Sequence, residues 1–363
     1  MSIVVENQTT QILPDEQAVL FPTFGYRRRD GDWEVQIRGQ LFGAVAAGLK
    51  RRMFLGLLRR LMRADIGELT GDIFQRRLEG FLAESRSRRG VTIQLGDQGY
   101  RLKRLTRRTG HFTGRIQLPS ATAAALRETG DVTDGWLSYR LVLPPPDERS
   151  FSGAAQLIEP VGVSVISDID DTIKISHVSD SQALLRNTFL KEFEGVPGMA
   201  NKYQQWQERG AAFHYVSSSP WQLYASLADL STREGLPRGS FHLRTYRFRG
   251  PVPMPPILSN KLRKGWIVKS ILRRFPHRRF YLVGDSGERD PELYASVARR
   301  WPKQVAGVFI RRVAIPDRPA PARRLDPLFR SVAAPWRLFD NAEELPDVLD
   351  TDTKRIYHAA TRP

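Results

Sequence analysis

Asp168, Asp170, Asp171 and Thr172 crowd four oxygen-bearing side chains together, with only Ile169 among them. They follow Val163, Val165 and Ile166, a short apolar run whose β-branched composition predicts a buried parallel strand. Carboxylates gathered at the end of such a strand repel one another and cost desolvation free energy. A cation among them relieves both costs, and for an all-oxygen set the expected ion is Mg2+. The same residues taken alone would also make an acidic turn capping a helix, since Asp is a common turn residue. Two later stretches favour the site. Phe213–Ser217 (FHYVS) reads as a second strand, ending in Ser217, Ser218, Ser219 and Pro220. Phe280–Val283 (FYLV) reads as a third, ending in Gly284, Asp285 and Ser286, with Asp290 five positions after Asp285.

The order strand, Asp-x-Asp-x-Thr; strand, Ser; basic helix with Lys264; strand, Gly-Asp-Ser-x-x-x-Asp resembles the haloacid dehalogenase superfamily of phosphohydrolases. More narrowly, SDIDDTIKISHV, YVSSSPWQLY and LVGDSGERDPELY are similar to the phosphatidate phosphatase family found in yeast actin patches and in many bacteria. The likeness is strong over 163–300 and looser on either side. It implies that Asp168 is the nucleophile that becomes an aspartyl phosphate. Asp170 would then protonate the leaving alcohol and deprotonate the attacking water. Thr172 would orient Asp170 or brace the loop. Ser217 and the Ser218 amide would hold a phosphoryl oxygen, with Ser219-Pro220 opening a helix whose N-terminus suits an anion. Lys264 would stabilise the phosphoryl charge, with Lys261 and Lys269 as rivals in a stretch of eight cations and no acid from Lys261 to Arg279. Mg2+ would be held by Asp168, the Asp170 carbonyl, Asp285 and Asp290. Asp290-Pro291-Glu292 is also a good helix start, with Asp as cap and Pro in first position.

These residues need a scaffold. From Val163 onward strands alternate with helical stretches, which predicts a parallel sheet with its ligand beyond the strands' carboxyl ends. The expected fold class is α/β: a haloacid-dehalogenase-like parallel sheet flanked by helices, without a large cap. The inserts of about 40 residues (Thr172 to Phe213) and 46 residues (Ser217 to Lys264) are too short for one. An open site suits a bulky or interfacial substrate. The apolar, proline-stiffened stretch Gly250–Leu258 would either dip into a bilayer beside it or pack on the sheet.

Ahead of this lies a smaller β-rich, sandwich-like domain of short strands and turns. The division expected is a flexible arm over 1–20, the β-rich domain over 21–150, the phosphatase domain over 151–350 and a tail over 351–363. The chain's 363 residues suffice for two domains, each with its own core. Pro144–Glu148 is the expected linker. Leu49, Met53, Phe54, Leu57, Leu58, Leu61 and Met62 recur at helical spacing beside Lys50, Arg51, Arg52, Arg59, Arg60 and Arg63. That basic amphipathic helix would lie on an anionic membrane or pack on its own protein with its arginines in water.

A net charge of +17 implies a polyanionic partner or simply a solubilising excess. With no cysteine there are no disulfides, thiolate metal sites or cysteine nucleophiles. No secretory signal is expected at the start, so a cytoplasmic protein, peripheral on membranes, is the default reading. The motifs point to phosphomonoester hydrolysis, and the family resemblance implies its substrate: Mg2+-dependent hydrolysis of phosphatidic acid to diacylglycerol and phosphate at an anionic phospholipid surface. The alternatives are a phosphatase of nucleic-acid ends or another soluble phosphomonoester, or a membrane-binding adaptor with a vestigial site. No nucleic-acid-binding motif accompanies the charge, so no nucleic acid partner is expected.

Overall fold

The computed structural model describes residues 9–45, 48–246, 264–313 and 321–349. Residues 1–8, Lys261, the stretch Gly250–Leu258 and the 351–363 tail, each of which carried an expectation, lie outside them. Strands β1 (Gln17–Leu20), β2 (Thr23–Arg27) and β3 (Trp33–Val45) come first. In β3 the side chains of Trp33, Val35, Ile37 and Leu41 alternate inward, as a strand with one covered face requires. Helices α1 (Leu49–Met62) and α2 (Asp72–Leu82) follow, then β4 (Ala83–Ser85), β5 (Thr92–Leu95), β6 (Gln98–Arg101) and β7 (His111–Leu118). Helix α3 (Ser120–Glu128), β8 (Val132–Thr133), β9 (Trp136–Leu141) and β10 (Ser152–Ile158) complete this half. Its ten strands form one mixed sheet, ordered β1-β3-β2-β10-β9-β5-β6, with β4 and β7 on β3 and β8 on β9. Trp33 and Ile37 of β3, Ile93 of β5, Phe112 of β7 and Leu137 of β9 share one core, so the sheet curls over it.

Three boundaries differ from expectation. The arm is tied down well before Phe21: Thr10 donates its N–H to Val142 O (2.7 Å), and β1 pairs with β3. Pro144–Glu148 joins β9 to β10, antiparallel neighbours, and is a loop within the sheet instead of a linker. The change of sheet comes after Ile158, because β10 also pairs with β2.

The second sheet holds six parallel strands, ordered β13-β12-β11-β14-β15-β16. These are β11 (Gly162–Ser167), β12 (Ala212–Pro220), β13 (Gly239–Arg244), β14 (Arg278–Asp285), β15 (Val305–Arg311) and β16 (Trp336–Phe339). Between them run α4 (Ser181–Phe189), α5 (Met199–Glu208), α6 (Tyr224–Glu234), α7 (Lys264–Arg274), α8 (Asp290–Arg300) and α9 (Pro321–Phe329). Val163, Val165 and Ile166 are all buried in the central β11. The strand order reverses between β11 and β14, the switch point where a crevice opens beyond the strand ends.

The mixed-sheet half keeps a core of its own, and its other residues join two cores shared with the second half. Phe21 stacks on Trp221 with ring centroids 3.9 Å apart, and Phe24 packs against His214 and Phe275. Helix α1 settles the choice posed by its sequence. Phe54, Leu58 and Met62 are fully buried against Phe81 of α2 and the Phe189 region of α4. Gln182 and Arg186 of α4 donate to the Met62 carbonyl (3.1 and 3.2 Å). The apolar face is therefore taken by protein, while Arg51, Arg52, Arg59, Arg60 and Arg63 stay exposed. Leu58→Ala should accordingly cost about 2–5 kcal/mol in urea unfolding, as for a buried leucine, and Arg59→Ala under about 0.5. Near-equal small effects would mean the face is not packed.

Candidate active site

Asp168 leaves the end of β11 and donates its backbone N–H to Val283 O of β14 (2.8 Å), so both central strands fix it. Asp285 closes β14, and Asp290 opens α8. These three carboxylates are buried, each with an oxygen within 4.8 Å of the others. Lys264, at the start of α7, donates its Nζ to Asp168 Oδ1 (2.6 Å) and Asp290 Oδ1 (2.5 Å). Of the two candidate lysines among the described residues it is the one brought to the carboxylates; Lys269 lies a turn and more along α7. Gly284 makes the approach of α8 to β14 feasible, since a Cβ there would stand 2.3 Å from Asp290 Oδ2. The expected cap is displaced by one residue. Arg289 holds the cap position without a side-chain bond, Pro291 is second in the helix, and the Asp290 carboxylate goes to Lys264.

Three carboxylates and one ammonium leave a charge imbalance in a dry place. Burial pushes the Asp168 carboxyl well above its ordinary value; Lys264 opposes this and Asp290 adds to it. Burial, with Asp290 and Glu288 beside it, raises Asp285 in the same direction. Burial alone would lower Lys264, but Asp168 and Asp290 hold it well above its usual range as an ammonium.

Asp170 belongs to a second cluster. Its Oδ1 accepts from Lys174 Nζ and Ser176 Oγ (both 2.8 Å), and its Oδ2 from Ser217 Oγ and Ser219 Oγ (both 2.8 Å). Burial would raise this carboxyl, but Lys174 and the hydrogen bonds from Ser219 and Ser176 overcome that and hold it well below the carboxylate range. The neighbouring Asp171 has a left-handed backbone (φ 54°) and accepts the N–H groups of Ser176, His177 and Val178, knitting the loop.

Several expected roles shift. The Thr172 hydroxyl lies 3.4 Å from Asp168 Oδ2, so it braces the first carboxylate and not Asp170. Ser219-Pro220 does not open a helix: Pro220 ends β12, a single turn (Trp221–Leu223) intervenes, and α6 starts at Tyr224. Ser219 instead serves Asp170. Ser217 does so too, and also accepts the Ser219 N–H (2.8 Å). Ser218 faces the crevice with Lys264. Lys174 and Ser176 were not singled out. The alternation Ile173-Lys174-Ile175-Ser176 was their signal, because it puts a cation and a hydroxyl on one side of a strand-like segment otherwise flanked by isoleucines.

The family model for the catalytic domain of phosphatidate phosphatase APP1 matches residues 163–312. That segment is similar to this family's catalytic domain. Among curated proteins, the chain is 29% identical over 247 residues to phosphatidate phosphatase APP1 of Saccharomyces cerevisiae, covering 66% of this chain and 40% of the relative. It is 31% identical over 169 residues to an uncharacterized protein of Schizosaccharomyces pombe, covering 46% of this chain and 27% of the relative. The chain thus spans well under half the length of either. The matched span opens on β11 and ends just beyond β15, so it encloses Asp168, Lys264, Asp285 and Asp290.

The three buried carboxylates fit a divalent cation on the chemistry of their donors. Asp285 Oδ1 is taken by the Gly287 and Glu288 N–H groups (2.6 and 2.9 Å), while Asp285 Oδ2 and Asp290 Oδ2 are buried with no hydrogen-bond partner among the described residues. Orphaned anionic oxygens in a dry pocket are costly unless a cation takes them.

Proposed function

We propose that this chain is a Mg2+-dependent phosphatidate phosphatase, releasing diacylglycerol and phosphate at a membrane surface. The observation that carries the reading is Asp168 buried beside Lys264, Asp285 and Asp290 at the sheet's switch point, within a catalytic domain of this family. In the proposed reaction an Asp168 carboxylate oxygen bonds to phosphorus as the P–O bond to the glyceride breaks. Asp170, an anion in the resting chain, would take up the proton of the monoanionic phosphate as its serine bonds turn away and pass it to the departing alkoxide. Water, losing a proton to Asp170, then releases phosphate and restores Asp168. Lys264 and Thr172 hold the nucleophile in place. Ser217 and Ser219 would turn from Asp170 Oδ2 to a phosphoryl oxygen, freeing that carboxylate oxygen for the ester. Mg2+ bound by Asp168, Asp285, Asp290 and the Asp170 carbonyl would neutralise phosphate charge.

No helix among the described residues is long and apolar enough to cross a membrane, so the proposed attachment is peripheral. The test is phosphate release from liposomes containing phosphatidate, with and without Mg2+, beside a soluble aryl phosphate and a 5′-phosphorylated oligonucleotide. Metal-dependent release from liposomes supports the reading. Turnover of only the soluble substrates or the oligonucleotide rejects the lipid assignment, and silence on all three favours the adaptor. Binding itself has a separate readout. Mg2+ at a hundredfold excess over its dissociation constant should stabilise the protein by about 2.7 kcal/mol in thermal or urea unfolding, and Asp285→Asn should remove most of that gain.

A further inference from the structure

Beside the buried carboxylates, on the far side of Lys264 and Ser217, lies a crevice that the segment 163–312 only half encloses. Between β3 and β7 of the mixed sheet on one side, and β12, β13 and α7 on the other, lies a cavity of about 620 Å3. Ser217, Ser218 and Lys264 line it, and Lys264 and Ser217 bond Asp168 and Asp170, so it adjoins the phosphoryl site. The mixed sheet contributes Arg38, Lys103, Arg104, Arg107 and Arg115 to its wall, and the opposite wall adds Arg244 and Arg274. Among these cations sit Ile37, Trp221, Leu243, Ile267 and Ile271. Among the described lining residues there is no Asp or Glu. A larger cavity of about 810 Å3, over α3 and β5–β6, is remote from the carboxylates and gathers no such charge.

We infer that this crevice receives the glyceride part of a lipid phosphomonoester, and that the mixed sheet is a specificity element of the active site; the inference rests on the function proposed above. Inorganic phosphate, or a phosphate on a small alcohol, needs only Asp168, Lys264 and the serines. A wall that mixes hydrocarbon with cations and excludes carboxylates complements more than that. It suits an ester whose alcohol carries carbonyl oxygens and hydrocarbon and which arrives among other anionic head groups. The volume is that of a pocket for a compact ligand, enough for the glycerol, its two ester groups and the nearest methylenes. The remaining chain length stays in the bilayer. Lys103, Arg104 and Arg107 are exposed at the rim, and no ion pair among the described residues holds them. They are placed to meet the anionic lipid surface from which the substrate is drawn. Arg115 is different, with Glu34 3.4 Å away.

The experiment uses the full chain with Mg2+ and compares kcat/KM for liposomal phosphatidate, monomeric short-chain phosphatidate and an aryl phosphate. Two variants address two parts of the crevice. Lys103→Glu/Arg104→Glu/Arg107→Glu reverses the rim charge on exposed residues, and Thr113→Trp narrows the interior from the half-buried β7 wall. The charge reversal should lower the ratio of liposomal phosphatidate to aryl phosphate kcat/KM by tenfold or more, mainly through KM. Thr113→Trp should lower the ratio by a similar factor for monomeric as well as liposomal phosphatidate. Ratios within twofold of wild type in both variants would overturn the inference, including the case where all activities fall in parallel. A ratio that holds for phosphatidate while turnover of a phosphorylated oligonucleotide collapses would also overturn it, in favour of a nucleic-acid end. A wild-type protein active on aryl phosphate but not on phosphatidate would instead sink the proposed function, so the two failures are told apart.

Discussion

Asp168→Asn should abolish phosphate release from liposomal phosphatidate and from aryl phosphate alike, by on the order of 10^5-fold in kcat, the scale on which removing a nucleophile acts. Asparagine is nearly the same shape, so the Lys264 and Thr172 contacts to the side chain keep a partner, but an amide oxygen does not displace an alkoxide at phosphorus. The stability effect runs the other way. The Asp168 carboxyl titrates well above its ordinary value in the folded chain, so the metal-free protein holds a proton there that the unfolded chain gives up. A raised folded value means a contribution that is whole below the unfolded pKa near 4 and is lost as pH rises. Asparagine has no proton to lose. In a chelator, the variant's melting temperature should therefore overtake wild type as pH rises from about 4 to 7. Mg2+ should reverse that order by stabilising wild type alone. An inactive variant that also melts lower at every pH would mark Asp168 as a structural residue. Retained activity would remove it as nucleophile.

The positions legible in the sequence were those whose strand or helix is specified by local pattern. Val163–Ile166 is apolar on every side chain but Ser164, and it became the buried central strand that delivers Asp168. The alternation in Trp33–Ile37 became a one-sided strand. What local pattern does not carry is which partner a polar side chain meets across the sheet. Ser217 and Ser219 looked like a phosphate cradle and a cap because their nearest neighbours in sequence are serine and proline. Their bonds go instead to Asp170, 47 and 49 residues away. The apolar face of α1 was ambiguous for the same reason. A stripe of Phe54, Leu58 and Met62 has the same spacing whether it meets lipid or α4, and only the fold brings α4 there. The joined cores were hidden too, because Phe21 and Trp221 are far apart in the chain yet stack in the structure.

Lys174 is where that long-range information has its largest predicted consequence after the nucleophile. Its side chain is 2% exposed, its Nζ bonds Asp170 Oδ1 and Ser176 Oγ, and it stands 4.6 Å from the Phe193 ring centroid. Lys174→Met keeps the apolar stem but leaves Asp170 as a buried anion with only hydroxyl donors. Breaking one side of a buried pair in this way costs about 3–5 kcal/mol, most of it from the charge left behind. Lys174→Met/Asp170→Asn removes that charge as well, so it should recover about half of the loss in urea unfolding. Simple addition of the two single losses would show that the residues do not act as a pair. The pH dependence supplies a second check with a fixed sign. Asp170's folded value lies below its unfolded one, so the pair's stabilisation is present above about pH 4 and fades as pH falls. The gap between wild type and Lys174→Met should therefore narrow in acid. Activity separates position from mere stability. If Lys174 holds Asp170 in register with the phosphoryl site, kcat for aryl phosphate falls at temperatures where the variant is still fully folded, while the Mg2+-induced rise in melting temperature, which depends on Asp285 and Asp290, persists.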